Sequence, residues 1–305
     1  EEKDAAFLKL YDGHDWKWFA VRLKHTDMEY LRKHWSGKKA SAPTLEKKHD
    51  KYFLRFTYAE EVALNRTPVK EQTICSVDLG INTDAVCTIM RPDGTILGRK
   101  FINFPSDKDR MYRVLGRIRR FQREHGSRQV QGRWAYAKRL NTELGKKIAR
   151  EIVFYASENR ADVIVFEYLE MKGKLSGKKK QKLQMWRKRD IQKRCGQQAH
   201  RKGIRISRIC AWNTSRLAFD GSGKIDRDIQ DHRLCTFQNG KRYNCDLSAS
   251  YNIGARYFIR EILKPLPATE RSLLEAKVPA VKRRTSCVYA DLRDLISEME
   301  LQKAA

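Results

Sequence analysis

Ile74-Cys75-Ser76-Val77-Asp78-Leu79-Gly80-Ile81-Asn82 opens the stretch that decides the fold. It is followed by Ala85-Val86-Cys87-Thr88-Ile89-Met90, the turn Arg91-Pro92-Asp93-Gly94 and a run from Thr95 to Phe104. Short apolar runs with β-branched residues, punctuated by Gly, Asn and Pro-Asp-Gly, are hairpin signals rather than helix signals. The stretch therefore predicts a meander of strands, the first of which ends on Asp78. An ionised carboxylate against an apolar wall is costly unless something such as a metal ion binds it, so Asp78 is the first candidate site residue.

Working outward, Asp162-Val163-Ile164-Val165-Phe166-Glu167 is a second apolar strand that ends on an acid, Glu167. Its near-continuous apolar character predicts a strand covered on both faces, as in the middle of an α/β sheet. A third acid, Asp246, lies in Cys245-Asp246-Leu247-Ser248-Ala249-Ser250-Tyr251-Asn252-Ile253-Gly254-Ala255, a segment that reads as the opening of a helix. Taken alone, Asp246 has an ordinary explanation as a helix cap.

Between and around these segments the chain is basic. The 305 residues carry a net charge of +27. An excess of that size matches a polyanion, because each phosphate neutralised by Lys or Arg releases condensed counterions. Nucleic acid is thus favoured over an anionic membrane surface as partner. A helix is predicted from Met111 to His125, with Arg113, Arg117, Arg119, Arg120 and Arg123 on one face and Val114, Leu115, Ile118 and Phe121 on the other. A second is predicted from Trp134 to Asn159. From Met171 to Arg205, 14 Lys or Arg residues stand against one Asp. Here Lys178, Lys179 and Lys180 fall in a predicted loop, and Arg187, Arg189 and Arg194 fall in a basic helix from Leu183 to His200. These arginines and lysines are the candidate phosphate contacts, against the plainer reading of a solvated charged face.

The seven cysteines are odd in number and show no paired framework, which fits a reducing compartment. No apolar run approaches a membrane span and no signal peptide opens the chain. A soluble, cytoplasmic protein with no membrane partner is expected, and the start at Glu1 without Met suggests the later part of a longer product. Residues 1–71 alternate aromatic-rich strands (Ala6–Tyr11, Trp16–Lys24, Tyr52–Tyr58) with polar turns and one capped helix from Thr26 to Trp35. Trp16, Trp18, Phe19, Tyr52, Phe53, Phe56 and Tyr58 are expected to form the core of a small β-barrel, with base stacking as the alternative.

Open α/β sheets gather strand-end residues along one edge, where their sites form. Asp78, Glu167 and Asp246 meeting there would repel one another unless divalent cations neutralised them. Hard oxygen donors favour Mg²⁺ or Mn²⁺, and a pair of such ions supports in-line phosphodiester hydrolysis.

The order of elements resembles the RNase H fold. Val77-Asp78-Leu79-Gly80-Ile81-Asn82, Val165-Phe166-Glu167-Tyr168-Leu169 and Asn244-Cys245-Asp246-Leu247-Ser248-Ala249-Ser250-Tyr251-Asn252-Ile253 resemble the three RuvC motifs of the TnpB family, with Asn213-Thr214-Ser215 similar to a further signature. That family comprises transposon-encoded (OrfB-type) proteins related to compact type V CRISPR effectors. The resemblance implies an α/β, RNase H-like (RuvC) nuclease domain with an N-terminal β-barrel, wedge-like portion. It also implies an RNA-guided DNA endonuclease in a prokaryotic cytoplasm, associated with the nucleoid. Asp78, Glu167 and Asp246 would be its catalytic metal ligands, with guide RNA and target double-stranded DNA as partners; nothing in the sequence selects an oligomeric state.

The implied organisation is a guide-binding wedge portion at 1–71 and the nuclease domain at 72–214. A target-binding insertion follows at 215–244, then the third-motif helix at 245–265 and a helical tail at 266–305. Many members carry a zinc ribbon of two Cys-x-x-Cys pairs in the insertion. Here only Cys235 and Cys245 occur, with Cys210 just upstream, so no structural zinc is expected; an irregular set with His232 is the alternative. Competing functions are a guide-dependent repressor that does not cut and a cut-and-paste transposase on the same fold.

Overall fold

The computed structural model describes residues 4–48, 50–126, 130–168, 188–283 and 285–304, and the chain divides into two compact units, Glu1–Val62 and Ala63–Ala305. In the first unit, β1 (Ala5–Tyr11) and β2 (Trp16–Arg22) form an antiparallel hairpin with Tyr11 opposite Trp16. Asp12 closes its turn by accepting from the backbone N–H groups of His14 and Asp15. Helix α1 (His25–Trp35) follows, with Lys24 at its N-cap and no side-chain cap, so the predicted capped start is not formed. β3 (Lys39–Ala40) pairs with β6 (Tyr58–Ala59), and β4 (Thr44–Lys48) pairs with β5 (Lys51–Arg55).

The expected barrel is not found among the described residues. A barrel needs each strand paired on both edges, whereas each strand here has a single partner. The aromatic pattern explains the difference. Tyr11, Trp16 and Trp18 share the open face of the β1–β2 hairpin, with Trp18 67% exposed. Leu8 and Val21, on the other face, line an apolar pocket with Met28, Leu31 and Leu54.

The second unit is built on one mixed sheet. β7 (Ile74–Asp78), β8 (Ala85–Met90) and β9 (Ile96–Ile102) form the predicted antiparallel meander. The Arg91–Gly94 turn closes with Gly94 donating to the Arg91 carbonyl at 3.0 Å, and Gly94 takes a φ of 83°, where side chains are disfavoured. Helices α2 (Pro105–His125) and α3 (Gln131–Glu158) lead to β10 (Val163–Tyr168), and α4 (Lys188–His200) leads to β11 (Arg205–Cys210). β10 is parallel to both β7 and β11, giving the order β11-β10-β7-β8-β9.

The insertion is more regular than its composition suggests. β12 (Asp226–Arg227), β13 (Leu234–Thr236) and β14 (Arg242–Asn244) form a small antiparallel sheet around Ala218, Cys235, Phe237 and Cys245, with Phe219 and Tyr243 packed alongside. The chain then runs through α5 (Cys245–Leu263), α6 (Ala268–Lys277) and α7 (Tyr289–Ala304).

Alternation along the strands assigns their two faces. Cys75, Val77, Cys87, Ile164 and Phe166 pack against Ile148, Ile152 and Ile191 of α3 and α4. Ile74, Val86, Val163, Val165 and Ile209 pack against Tyr251, Phe258 and Leu292 of α5 and α7. Cover on both faces is why β7 and β10 read as unbroken apolar runs. α5 sits close to the sheet because Gly254 lies over Met90 and Ser76, where an added Cβ would be 2.8 Å from Met90 Cε.

Candidate active site

Val77 pairs with Phe166 across β7 and β10, so Asp78 and Glu167 occupy the next register position on neighbouring parallel strands. Asp78 continues the series Ile74, Ser76, and Glu167 continues the series Val163, Val165. Both therefore fall on the face that α5 covers. The two acids are 8% and 6% exposed.

Asp246 comes to the same edge from the first turn of α5. Its alternative reading as the cap is excluded locally, because Asn244 is the N-cap and its Oδ1 accepts from Leu247 N at 2.9 Å. The Asp246 carboxylate instead faces Thr83, in the loop that follows Asp78, whose side chain favours its charged form. That loop folds tightly at Gly80, where an added Cβ would lie 2.5 Å from the Thr83 carbonyl and 3.7 Å from Asp246 Oδ2.

Asp78 differs from other buried carboxylates of this unit. Asp84 accepts from Phe104 N and pairs with Lys108, and Asp162 accepts from Thr67 Oγ1 and Thr73 N. Among the described residues no group donates a hydrogen bond to Asp78. Burial first, and then the Glu167 charge, push its carboxyl well above the ordinary range, with Asp246 adding to the rise and Lys188 and Arg227 opposing it. Burial likewise raises Asp246, opposed by Thr83 and by Arg227 and Arg233.

Glu167 is held on both oxygens. Lys188 Nζ, at the start of α4, lies 2.8 Å from Oε2, and Thr214 Oγ1 donates to Oε1. Gln192, one turn further along α4, donates from its Nε2 to the Glu167 carbonyl at 3.0 Å. The loop carrying Thr214 is itself fixed. Asn213 adopts a φ of 60°, and Asn252 of α5 donates to the carbonyls of Thr214 and Leu217 at 3.0 and 2.9 Å.

The donor chemistry, hard carboxylate oxygens with one acid lacking any donor, fits a hard divalent cation. As the side chains stand, no three His, Cys, Asp or Glu among the described residues form a set ready to hold a metal ion, and the cation nearest Glu167 is the Lys188 ammonium.

No protein-family model matches the chain, and no curated protein matches its sequence. Among the solved structures similar to it are Cas12f and AacC2c1 complexes. A Cas12f1–sgRNA–target DNA complex is 18% identical with a TM-score of 0.49, covering 68% of this chain and 54% of that one. A CRISPR–Cas12f ternary complex is 15% identical with a TM-score of 0.44, covering 77% and 49%. An AacC2c1–sgRNA binary complex is 9% identical with a TM-score of 0.46, covering 84% and 48%. The chain spans about half the length of these solved chains.

Of the candidate phosphate contacts, Arg113, Arg117, Arg120 and Arg123 are exposed along α2, and Arg189 is exposed on α4. Arg194 is partly committed, its Nε 2.9 Å from Asp190 Oδ2. Lys178, Lys179, Lys180 and Arg187 lie outside the described residues. Among the described residues no helix is long and apolar enough to cross a membrane. Cys210 is exposed on β11, Cys235 and Cys245 are buried in the insertion, and His232 Nδ1 faces the Asp228 carbonyl.

Sequence reasoning missed Lys188 and Thr214 as the groups that hold Glu167, and Asn252 as the anchor of the Thr214 loop. The Asn213-Thr214-Ser215 motif was the available signal for Thr214. Lys188 carried none, being one cation in a basic run.

Proposed function

We propose that the chain is an RNA-guided DNA endonuclease of the TnpB type, with a Mg²⁺- or Mn²⁺-dependent RuvC site of the RNase H kind. The observation that supports it best is the pair Asp78 and Glu167, buried side by side at the ends of parallel strands, with Asp246 brought to the same edge by the covering helix. The meander, the parallel acid-ending strand and the late helix also follow the order that the RNase H resemblance implies. Asp78, Glu167 and Asp246 would hold the metal, which when bound would activate the attacking water and stabilise the leaving 3′-oxygen.

The chain's own residues prepare that edge. Thr214 and Lys188 orient the Glu167 carboxylate, and Asn252 fixes the Thr214 loop to the helix that carries Asp246. The exposed arginines of α2 supply contacts to the phosphate backbone, while the guide would read the target by base pairing. A guide-dependent repressor that does not cut is disfavoured, because a binding-only protein gains nothing from a buried Asp78 without a donor.

The test is cleavage of target DNA by the chain loaded with its co-purifying RNA. Asp78→Ala, Glu167→Ala and Asp246→Ala are each expected to abolish Mg²⁺-dependent cleavage and to keep RNA binding. Retained cleavage in any of them overturns the assignment.

A further inference from the structure

A cleft of about 1050 Å³ lies beside α5, between the edge strand β11 and the segment from α6 to Lys282. Its floor is apolar, including Ile259 and Val281, and its rim carries Lys264, Arg271 and Lys282. Two carboxylates also line it. Glu261 is paired with Arg260 at 2.8 Å, and Glu275 lies 3.7 Å from Arg271, which leaves the lining cationic.

An open edge strand ordinarily invites another strand to pair. Here that use is blocked: Arg260 Nη1 donates to the Arg208 carbonyl at 2.8 Å and Arg256 Nη1 to the Cys210 carbonyl at 2.9 Å, capping alternate outward carbonyls of β11. What the cleft offers instead is positive charge over an apolar floor. Tyr168, 55% exposed, also lines it and directly follows Glu167 on β10. The cleft thus reaches the residue that follows Glu167 in the chain.

We infer that this cleft seats the phosphodiester backbone of a single DNA strand running to or from the acidic edge. The rim cations take its phosphates and the apolar floor with Tyr168 takes unstacked bases. The inference rests on the nuclease reading for the strand's destination, but its chemistry, a backbone subsite away from α2, is tested without cleavage.

The experiment uses the full chain carrying Asp78→Ala and a labelled oligodeoxythymidine of about ten nucleotides, with an oligouridine of the same length as second arm. Binding is followed by anisotropy across a salt series. Arg271→Glu with Lys282→Glu, both exposed, is expected to weaken binding about tenfold or more and to lower the salt slope by about two. The matched control, Arg91→Glu with Arg293→Glu near the β8–β9 turn, makes the same charge change away from β11 and is expected to weaken binding far less. Loss on the DNA arm supports the inference, and loss on the RNA arm alone overturns it by assigning the cleft to the guide. Equal weakening by the control, or no weakening on either arm, overturns the inference. Should the double variant fail to fold, Lys264→Glu alone serves the same comparison.

Discussion

Lys188 Nζ lies 2.8 Å from Glu167 Oε2, and both side chains are almost wholly buried, at 8% and 7% exposed. A buried pair broken on one side leaves an uncompensated charge, which costs about 3–5 kcal/mol. Lys188→Met is therefore expected to lower Tm sharply in EDTA. Because the ammonium occupies the place of a counter-cation, Mg²⁺ is expected to restore part of that loss. Thermal melts in EDTA and in Mg²⁺ check this, and an unchanged Tm in EDTA contradicts it.

The Thr214 hydroxyl is the second group on Glu167. Thr214→Val keeps the shape and removes the donor, at a cost of about 1–3 kcal/mol for the acceptor left without it. If Thr214 orients a metal ligand, cleavage falls by about 10–100-fold, and Thr214→Ser restores most of it. Steady-state cleavage as a function of Mg²⁺ distinguishes this from simple instability, since the variant should require more metal.

Asp78 gives a pH dependence whose sign is fixed. Its carboxyl is raised by burial and by Glu167, so its contribution to stability is fully present below the unfolded value and is lost as pH rises through the folded value. Without metal, Asp78→Asn removes that loss. The Tm advantage of the variant over the parent is thus expected to grow between about pH 4 and neutrality, and to shrink in Mg²⁺. A pH-independent difference counts against a buried, uncompensated charge at this position.

What was legible in the sequence follows burial. β7 and β10 are covered on both faces, so Ile74–Val77 and Val163–Phe166 could scarcely be read otherwise, and the acids that end them stood out against that background. β4 was missed because Thr44-Leu45-Glu46-Lys47-Lys48 buries almost nothing, with only Glu46 half-buried. The barrel was expected from aromatic content, yet Trp16 and Trp18 alternate onto an open face. β12 to β14 are too short for a periodicity to register. Asp246 was ambiguous until Asn244 was seen to hold the cap.

The insertion's cysteines yield a compositional prediction. Cys235 and Cys245 are buried with Ala218 and Phe237, and Cys235 Sγ donates to the Tyr243 carbonyl at 3.4 Å. Small buried thiols in such a setting serve packing. Elemental analysis of the purified chain is expected to find no stoichiometric zinc, and about one equivalent would reverse the reading of the insertion.

The seat of α5 on the sheet links stability to the site. At Gly254 a Cβ would meet Met90 Cε at 2.8 Å, Met90 Sδ at 2.9 Å and Ser76 Oγ at 3.1 Å. Gly254→Ala is expected to cost about 1–3 kcal/mol by overpacking. Met90→Ala alone opens a cavity and costs about 2–5 kcal/mol. In the double variant the new methyl occupies space that Met90 vacates, so the combined cost should fall below the sum of the two, with a coupling of about 0.5–3 kcal/mol. Urea denaturation of the four proteins measures this. The same displacement lifts the helix that carries Asp246 away from Asp78, so Gly254→Ala should also reduce cleavage at temperatures where it is fully folded, and the Met90→Ala partner should recover part of that activity. Additive stabilities would mean that α5 adjusts elsewhere and that the close approach at Gly254 does not set the position of Asp246.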